Sequence, residues 1–131
     1  MEKFKFKKFT NKSGSLIPFS LSKNVPFKTK RIFLIDGKKN FTRGNHAHKK
    51  CKQYLVPILG KFEVWYESKL KSSLKILNSK DKKGLLLNPK TWCKIKFKTD
   101  NCLLMVFCDR EYEFKDYIEE YKNFQKIIKK K

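Results

Sequence analysis

Short apolar stretches separated by turn residues run along most of this chain, and they restrict its fold more than any other feature. They lie at positions 30–35, 53–59, 62–66, 74–77, 84–87, 93–97 and 102–108. Regular short strands with intervening turns indicate an all-β sandwich or barrel. A length of 131 residues fits one domain. We therefore predict that residues 1–131 form a single all-β domain of the jelly-roll type.

The C-terminal part of the chain has a different pattern. From Phe114 onward, apolar residues recur at steps of three and four, which is typical of one face of an amphipathic helix. We predict a helix that begins near Phe114 and packs on the sheet. In this interpretation Tyr112 and Tyr117 serve only for packing. The lysines at 126–131 would lie at the helix C-terminus, where positive charge complements the helix dipole.

The net charge of +21 raises the question of nucleic-acid binding. Of the 33 basic residues only Arg31, Arg43 and Arg110 are arginines, whereas base recognition and bidentate phosphate recognition favour arginine. The lysines are spread over the whole chain. We therefore expect no nucleic-acid partner, although a basic binding module stays open as an alternative. Such a field would still attract a phosphate-bearing small molecule.

Cysteine usage and hydropathy bear on the cellular compartment. The four cysteines form no Cys-x-x-Cys pair, and we expect free thiols packed as small apolar groups. No stretch approaches the ~18 consecutive apolar residues of a membrane-spanning helix, so no membrane association is expected. A cytoplasmic location is the expectation that follows.

The residues with the clearest chemistry are His46 and His48, the two histidines of the chain. On a strand, the i, i+2 spacing places both imidazoles on one face. Arg43 precedes His46 by three positions, which suggests a contact with a diphosphate or substrate, although an ordinary turn residue is an open alternative. Gln53 follows as a possible substrate ligand or a polar group satisfied in the core. Trp92 is either a stacking surface or a core residue.

This region resembles the first motif of the cupin superfamily, in the pattern Gly44-x-His46-x-His48, then Gln53, then Gly60. A weaker likeness to the second cupin motif covers positions 84–92, with Trp92 where the third metal-binding histidine is expected. Two histidines and a neutral amide are a weak ligand set without a carboxylate. Cys51 could in principle add a ligand, and a metal- or sugar-binding cupin stays an alternative. We interpret the pair as acid–base groups and predict no metal.

A closer resemblance covers nearly the whole chain in four co-linear blocks, at 26–33, 43–49, 84–92 and 112–124. These blocks are similar to the dTDP-4-keto-6-deoxyglucose 3,4-ketoisomerases (FdtA/QdtA, WxcM-like). One position differs, because Phe33 stands where family members typically carry an active-site tyrosine. The resemblance implies a cupin jelly roll (RmlC-like) with a short C-terminal helix, and a homodimer. We also expect that the apolar N-terminal segment can exchange strands with the dimer partner.

The resemblance also implies a reaction and a set of residues. The expected enzyme is an isomerase without cofactor that converts dTDP-4-keto-6-deoxy-D-glucose to a dTDP-3-keto-6-deoxyhexose, for 3-amino-3,6-dideoxyhexose synthesis in surface glycans. The His-Ala-His form of the motif favours the galacto product. His46 takes the position of the catalytic histidine and His48 that of the second one. The expected substrate-binding residues are Arg43, Gln53, Arg31 and Trp92.

Overall fold

The computed structural model describes residues 4–129. It contains eleven strands and two helices, consistent with an all-β domain that ends in a short helix. In chain order these are β1 (Phe9–Asn11), β2 (Gly14–Leu16), α1 (Leu21–Asn24), β3 (Arg31–Gly37), β4 (Thr42–His48), β5 (Gln53–Leu59), β6 (Lys61–Glu67), β7 (Ser72–Asn78), β8 (Leu85–Leu87), β9 (Trp92–Phe97), β10 (Cys102–Cys108), β11 (Tyr117–Ile118) and α2 (Tyr121–Lys129).

The strands form two larger sheets and one hairpin. The four-stranded sheet has the order β3-β10-β5-β8, and the five-stranded sheet has the order β11-β4-β9-β6-β7. The neighbouring strands that pair in these sheets are antiparallel. Strands β1 and β2 form a separate hairpin. The predicted all-β architecture is confirmed.

Buried side chains from both larger sheets meet in one core. Leu104 and Val106 of β10 belong to the same cluster as Phe62 of β6 and Ile95 of β9. All four cysteines are free and buried, as the sequence predicted. The core therefore lies between two sheets that pack face to face.

A second cluster lies between the N-terminal segment and the four-stranded sheet. Phe6 and Val25 pack there against Tyr54, Val56 and Phe107. The Tyr54 hydroxyl donates a hydrogen bond to the Phe4 carbonyl at 3.1 Å. Within this one chain, the apolar N-terminal residues thus cover a sheet of their own protomer. Exchange of N-terminal strands with a partner stays a prediction.

The C-terminal helix begins later than the sequence predicted. Tyr117 and Ile118 form strand β11, which pairs with His48 and Ala47 on the edge of β4, and α2 starts only at Tyr121. The prediction of a continuous helix from Phe114 is wrong, because the unpaired edge of β4 recruits this segment into the sheet. Phe114 is 67% exposed and takes no part in the apolar face.

Helix α2 packs through Phe124 on Ala47 and Ile118. This contact holds the C-terminal segment on the five-stranded sheet, next to the strand that carries both histidines. Neither helix within residues 4–129 is long and apolar enough to cross a membrane.

Candidate active site

A β-bulge in β4 sets the direction of the key side chains. Gly44 and His46 pair with adjacent residues of β9, so Asn45 is the extra residue. Gly44 and Asn45 have φ of 97° and 61°, and a Cβ on Gly44 would lie 2.8 Å from the Cys93 carbonyl oxygen. Bulges bend a strand and re-aim its side chains. This bulge allows Arg43 and His46, three positions apart, to line the same cavity.

The cavity has a volume of about 420 Å³ and lies between the two larger sheets. This volume falls within the range of small-molecule sites. Its wall is contributed by both sheets and is mostly apolar, with a few polar side chains. The lining residues with polar or ionisable groups are Asp36, Arg43, His46, Gln53, Cys93 and Tyr117.

His46 and His48 lie together, as the i, i+2 spacing predicted. Their ring centroids are 5.2 Å apart and the rings are nearly perpendicular, at 89°. His46 is half-buried and lines the cavity, whereas His48 is buried and does not. The two imidazoles are therefore neighbours with different access to a bound molecule.

Burial lowers the pKa of both imidazoles. For His46, a hydrogen bond with the Gly44 backbone and the charge of Glu119 oppose this effect without cancelling it. For His48, the neighbouring His46 adds to the lowering, while Asp116 opposes it. Both rings are consequently neutral at pH 7, which is the form that accepts a proton.

Asp116 is a site residue that the sequence analysis missed. Its carboxylate lies 3.1 Å from Nδ1 of His48 and accepts hydrogen bonds from the backbone N–H of Lys50 at 2.7 Å and of Cys51 at 3.3 Å. The side chain is 68 positions from His48 along the chain and is buried with it. In the sequence it is one of several acidic residues in a segment that looked helical, so no local pattern linked it to the histidines.

Tyr117 is another site residue that the sequence analysis missed, because this side chain was expected only to pack. Its ring centroid lies 4.3 Å from that of His48 and 5.2 Å from that of His46. Tyr117 also lines the cavity, where it is the one lining residue with a hydroxyl group. Burial raises its pKa, and nearby Arg31 opposes this. The phenol is therefore protonated at neutral pH and available as a hydrogen-bond donor.

Gln53 and Arg31 meet on the sulfur of Cys108. Nε2 of Gln53 donates to Sγ at 3.7 Å, and Nη2 of Arg31 donates to it at 3.4 Å. Gln53 lines the cavity, whereas Arg31 does not. The Arg31 guanidinium instead lies 5.5 Å from the ring centroids of Phe33 and Tyr112. The structure thus brings Arg43, His46 and Gln53 to the cavity and places His48 and Arg31 beside it.

Trp92, also predicted as a site residue, neither lines the cavity nor lies beside its polar groups. Its ring centroid lies 5.3 Å from Tyr121 and 5.6 Å from Phe124, both in α2. It belongs to the packing between α2 and the five-stranded sheet. Of the two alternatives that the sequence left open, this position favours the packing residue.

One group of side chains within residues 4–129 has the composition of a metal site. Ligand atoms of His48, Cys51 and Asp116 all lie within 4.8 Å of one another, and the three residues are buried. His46 is not part of this group. The Asp116 carboxylate already has three N–H partners there. A cupin-type metal site that includes both histidines is therefore not formed by these residues, and independence from metal stays a prediction.

Comparison with known proteins agrees with the fold. The family FdtA, described as WxcM-like, C-terminal, matches residues 1–129. The TDP-4-oxo-6-deoxy-alpha-D-glucose-3,4-oxoisomerase of Aneurinibacillus thermoaerophilus is 36% identical over 126 residues, covering 95% of this chain and 90% of that protein.

Two crystal structures extend the likeness to three dimensions. A 3,4-ketoisomerase from Helicobacter canadensis is 29% identical with a TM-score of 0.84, covering 97% of this chain and 96% of that one. QdtA from Thermoanaerobacterium thermosaccharolyticum, a sugar 3,4-ketoisomerase in complex with TDP, is 31% identical with a TM-score of 0.83, covering 96% and 92%. A histidine-to-asparagine variant of QdtA was solved with TDP-4-keto-6-deoxyglucose. The predicted cupin-type fold and isomerase class are confirmed, and the chain belongs to the FdtA family of sugar-nucleotide 3,4-ketoisomerases.

Proposed function

We propose that this protein converts TDP-4-keto-6-deoxy-D-glucose to the TDP-3-keto-6-deoxyhexose of galacto configuration. The observation that carries the proposal is the cavity-lining His46 beside the buried pair of His48 and Asp116. The names of the relatives support the substrate class, since one is a TDP-4-oxo-6-deoxyglucose 3,4-oxoisomerase and another was solved with the 4-keto sugar nucleotide. The His-Ala-His motif supports the galacto product through the family resemblance.

The reaction requires a base at C3 and a route for a proton between two oxygens. The C4 ketone acidifies the hydrogen on C3, and His46 removes it, so that electrons move to O4 and an enediolate forms. The proton on O3 moves to O4, the carbonyl forms at C3, and protonated His46 returns its proton to C4. Neutral His46 is suited to this step because its lowered pKa keeps its lone pair free at pH 7.

The developing negative charge on oxygen needs a donor held in place before the reaction. Arg43, Gln53 and His48 are the candidates. Gln53 has the most fixed position, because it is 7% exposed and its amide is bound to Cys108. Tyr117 adds a protonated hydroxyl on the same cavity wall.

Arg43 is the proposed contact for the diphosphate. It is exposed and yet lines the cavity, so it can reach a charged group outside while the sugar is inside. Arg31 is proposed to bind substrate as well; it lies beside the cavity, where it and Gln53 both donate a hydrogen bond to the sulfur of Cys108. The position of Trp92 against α2 gives no support to a direct substrate contact by this residue. The net charge of +21 favours the approach of an anionic nucleotide.

The biological setting is proposed from the family resemblance. We propose a cytoplasmic homodimer that works without metal or organic cofactor, with N-terminal strands exchanged between protomers. The 3-keto product would go to an aminotransferase for 3-amino-3,6-dideoxyhexose synthesis. Sedimentation tests the dimer, and a monomer at micromolar concentration would contradict it.

The experiment that tests the function follows hydrogen at C3 and C4 in D₂O. Wild-type protein is expected to wash deuterium into C3 of the 4-keto substrate and C4 of the product. The His46→Asn variant keeps an amide of similar size without the titratable nitrogen, and its turnover should fall ~10²–10⁴-fold. Normal C3 exchange in this variant would show that His46 is not the base. For product formed in H₂O, the H4–H5 coupling distinguishes galacto from gluco, since it is small when H4 is equatorial and large when H4 is axial.

A further inference from the structure

The carboxylate of Asp116 occupies a position that decides the protonation pattern of His48. An ionised carboxylate only accepts hydrogen bonds, so a short contact with Nδ1 of a neutral imidazole requires that Nδ1 carries the proton. The two atoms lie 3.1 Å apart, and both side chains are buried. The two backbone N–H groups of Lys50 and Cys51 hold the same carboxylate in place. His48 is therefore fixed as the Nδ1–H tautomer.

The other nitrogen of His48 is left with its lone pair. Nε2 is buried and has no hydrogen-bond partner within the part of the chain that the structure describes. A buried polar atom without a partner is costly and therefore rare, so one that persists calls for an explanation such as a role in catalysis. In His48 this atom is the one that Asp116 keeps deprotonated and ready to accept a proton.

The charges around His48 show that a positive charge on this imidazole is favoured by the Asp116 carboxylate and opposed by its other neighbours. His46 on β4 and Arg31 on β3 both disfavour a positive charge on His48, and burial does so more strongly. Tyr117 on β11 packs on the ring with its hydroxyl protonated. Among the groups that act on His48, Asp116 is the one that favours the imidazolium.

We propose that Asp116 is a positioning residue for the isomerisation: it fixes His48 as the Nδ1–H tautomer and stabilises its imidazolium while His48 moves the oxygen-bound proton. This rests on the proposed function. Nε2 is covered in the free protein, so this step requires that the bound sugar displaces the ring of His46 or Tyr117 beside it. Nε2 then accepts the proton from O3 and returns it to O4, so the ring ends in its starting state and no other reactant is needed. His46 remains the group that transfers the carbon-bound proton.

The tautomer can be measured without substrate. With two histidines in the chain, ¹⁵N-labelled imidazole spectra of wild type and His46→Asn assign both rings. The wild-type His48 spectrum should show Nδ1 protonated and Nε2 deprotonated at neutral pH. The opposite tautomer would overturn the proposal without any Asp116 variant, and independently of whether the protein isomerises sugars.

Asp116→Asn then tests the consequence for the reaction. The amide keeps the size of the side chain but can present N–H to Nδ1, so we expect a mixed or inverted tautomer and a lower His48 pKa. kcat should fall about 10–10³-fold, as expected for impaired acid–base catalysis, with KM changed less than about threefold. A kcat within threefold of wild type, or an unchanged tautomer, would overturn the proposal.

Asp109→Asn is the matched control. Asp109 also accepts a backbone hydrogen bond in the β4–β5 connection, from Lys52 at 2.8 Å, but within residues 4–129 it is not among the groups that act on the pKa of either histidine. If Asp116 only stabilised this connection, the two variants would lose activity in parallel with stability. We expect Asp109→Asn to keep kcat within about twofold of wild type and to leave the His48 tautomer unchanged.

Discussion

Tyr117 pairs in register with His48 across β11 and β4, and the two ring centroids lie 4.3 Å apart. The same phenol ring lies 5.2 Å from that of His46. A residue of the C-terminal segment thus covers both imidazoles and contributes to the cavity wall. The low pKa of the histidines depends on burial that this ring helps to provide.

The first prediction concerns the ring of Tyr117. Tyr117→Ala should lower the free energy of unfolding by about 2–3 kcal/mol, somewhat below the range for a fully buried aromatic because this residue is only partly buried. It should also raise the pKa of both histidines toward 6.5, since water reaches them. Tyr117→Phe keeps the ring and should change neither quantity much. Urea denaturation and ¹⁵N spectra measure both, and equal effects of the two variants would contradict the argument.

The second prediction is the pH dependence. Folding lowers the pKa of His46 and His48 below the usual 6.5, and the neutral form is the active base. kcat/KM should therefore be at its plateau at pH 7 and fall on the acid side with an apparent pKa below 6.5. A pH–rate profile with a midpoint above 6.5 would contradict this.

The same pKa shifts predict a stability effect. Because the folded-state pKa is lowered, the unfolded chain binds more protons below pH 6.5, and stability is lost as the pH falls from 6.5 through the folded-state pKa. The slope contributed by each histidine is at most about 1.4 kcal/mol per pH unit. His46→Asn should remove part of this slope, as measured by urea denaturation at pH 7 and at pH 5. An unchanged slope would show that His46 is not the group responsible.

Local patterns in the sequence were sufficient for seven of the strands, β3 and β5 to β10, and for the histidine pair. A period of two is a property of any extended backbone, so the shared face of His46 and His48 followed from their spacing alone. The bulge at Asn45 was not predicted, and it adds Arg43 to the face that His46 occupies. A bulge depends on pairing with β9, which is distant in the chain.

Long-range strand pairing explains the two other differences between prediction and structure, which are the later start of the C-terminal helix and the position of Asp116. Steps of three and four among Phe114, Tyr117 and Ile118 fit a helix, but the free edge of β4 takes the last two into the sheet. That pairing also brings Asp116 to His48. No periodicity relates residues 68 positions apart, so the carboxylate partner of the histidine required the structure.

The fourth prediction concerns the bulge. Gly44→Ala combines a φ of 97° with a Cβ placed 2.8 Å from the Cys93 carbonyl oxygen, so it should destabilise the protein by about 2–4 kcal/mol. Activity should fall as well, because the bulge directs Arg43 and His46. Gly14→Ala is the control: its φ is 138° and its Cβ would have no atom within 4 Å. Equal losses of stability in the two variants would contradict the role of the close contact.

The last prediction is that a strong chelator leaves turnover unchanged. His46, the cavity-lining histidine, has no cluster of further ligands, and the one three-residue group found within residues 4–129 combines His48, Cys51 and Asp116. Asp116 in this group is bound to two backbone N–H groups and to His48, so a metal would have to break the pairing that orients the imidazole. Added Zn²⁺ should therefore inhibit, if it acts at all.

Cys51→Ser removes the thiolate ligand and should relieve any such inhibition while it leaves metal-free turnover near the wild-type value. Elemental analysis of the purified protein accompanies the assay. Stoichiometric zinc or iron whose removal abolishes turnover, and whose return restores it, would contradict the prediction and assign the site to the metal-dependent cupins.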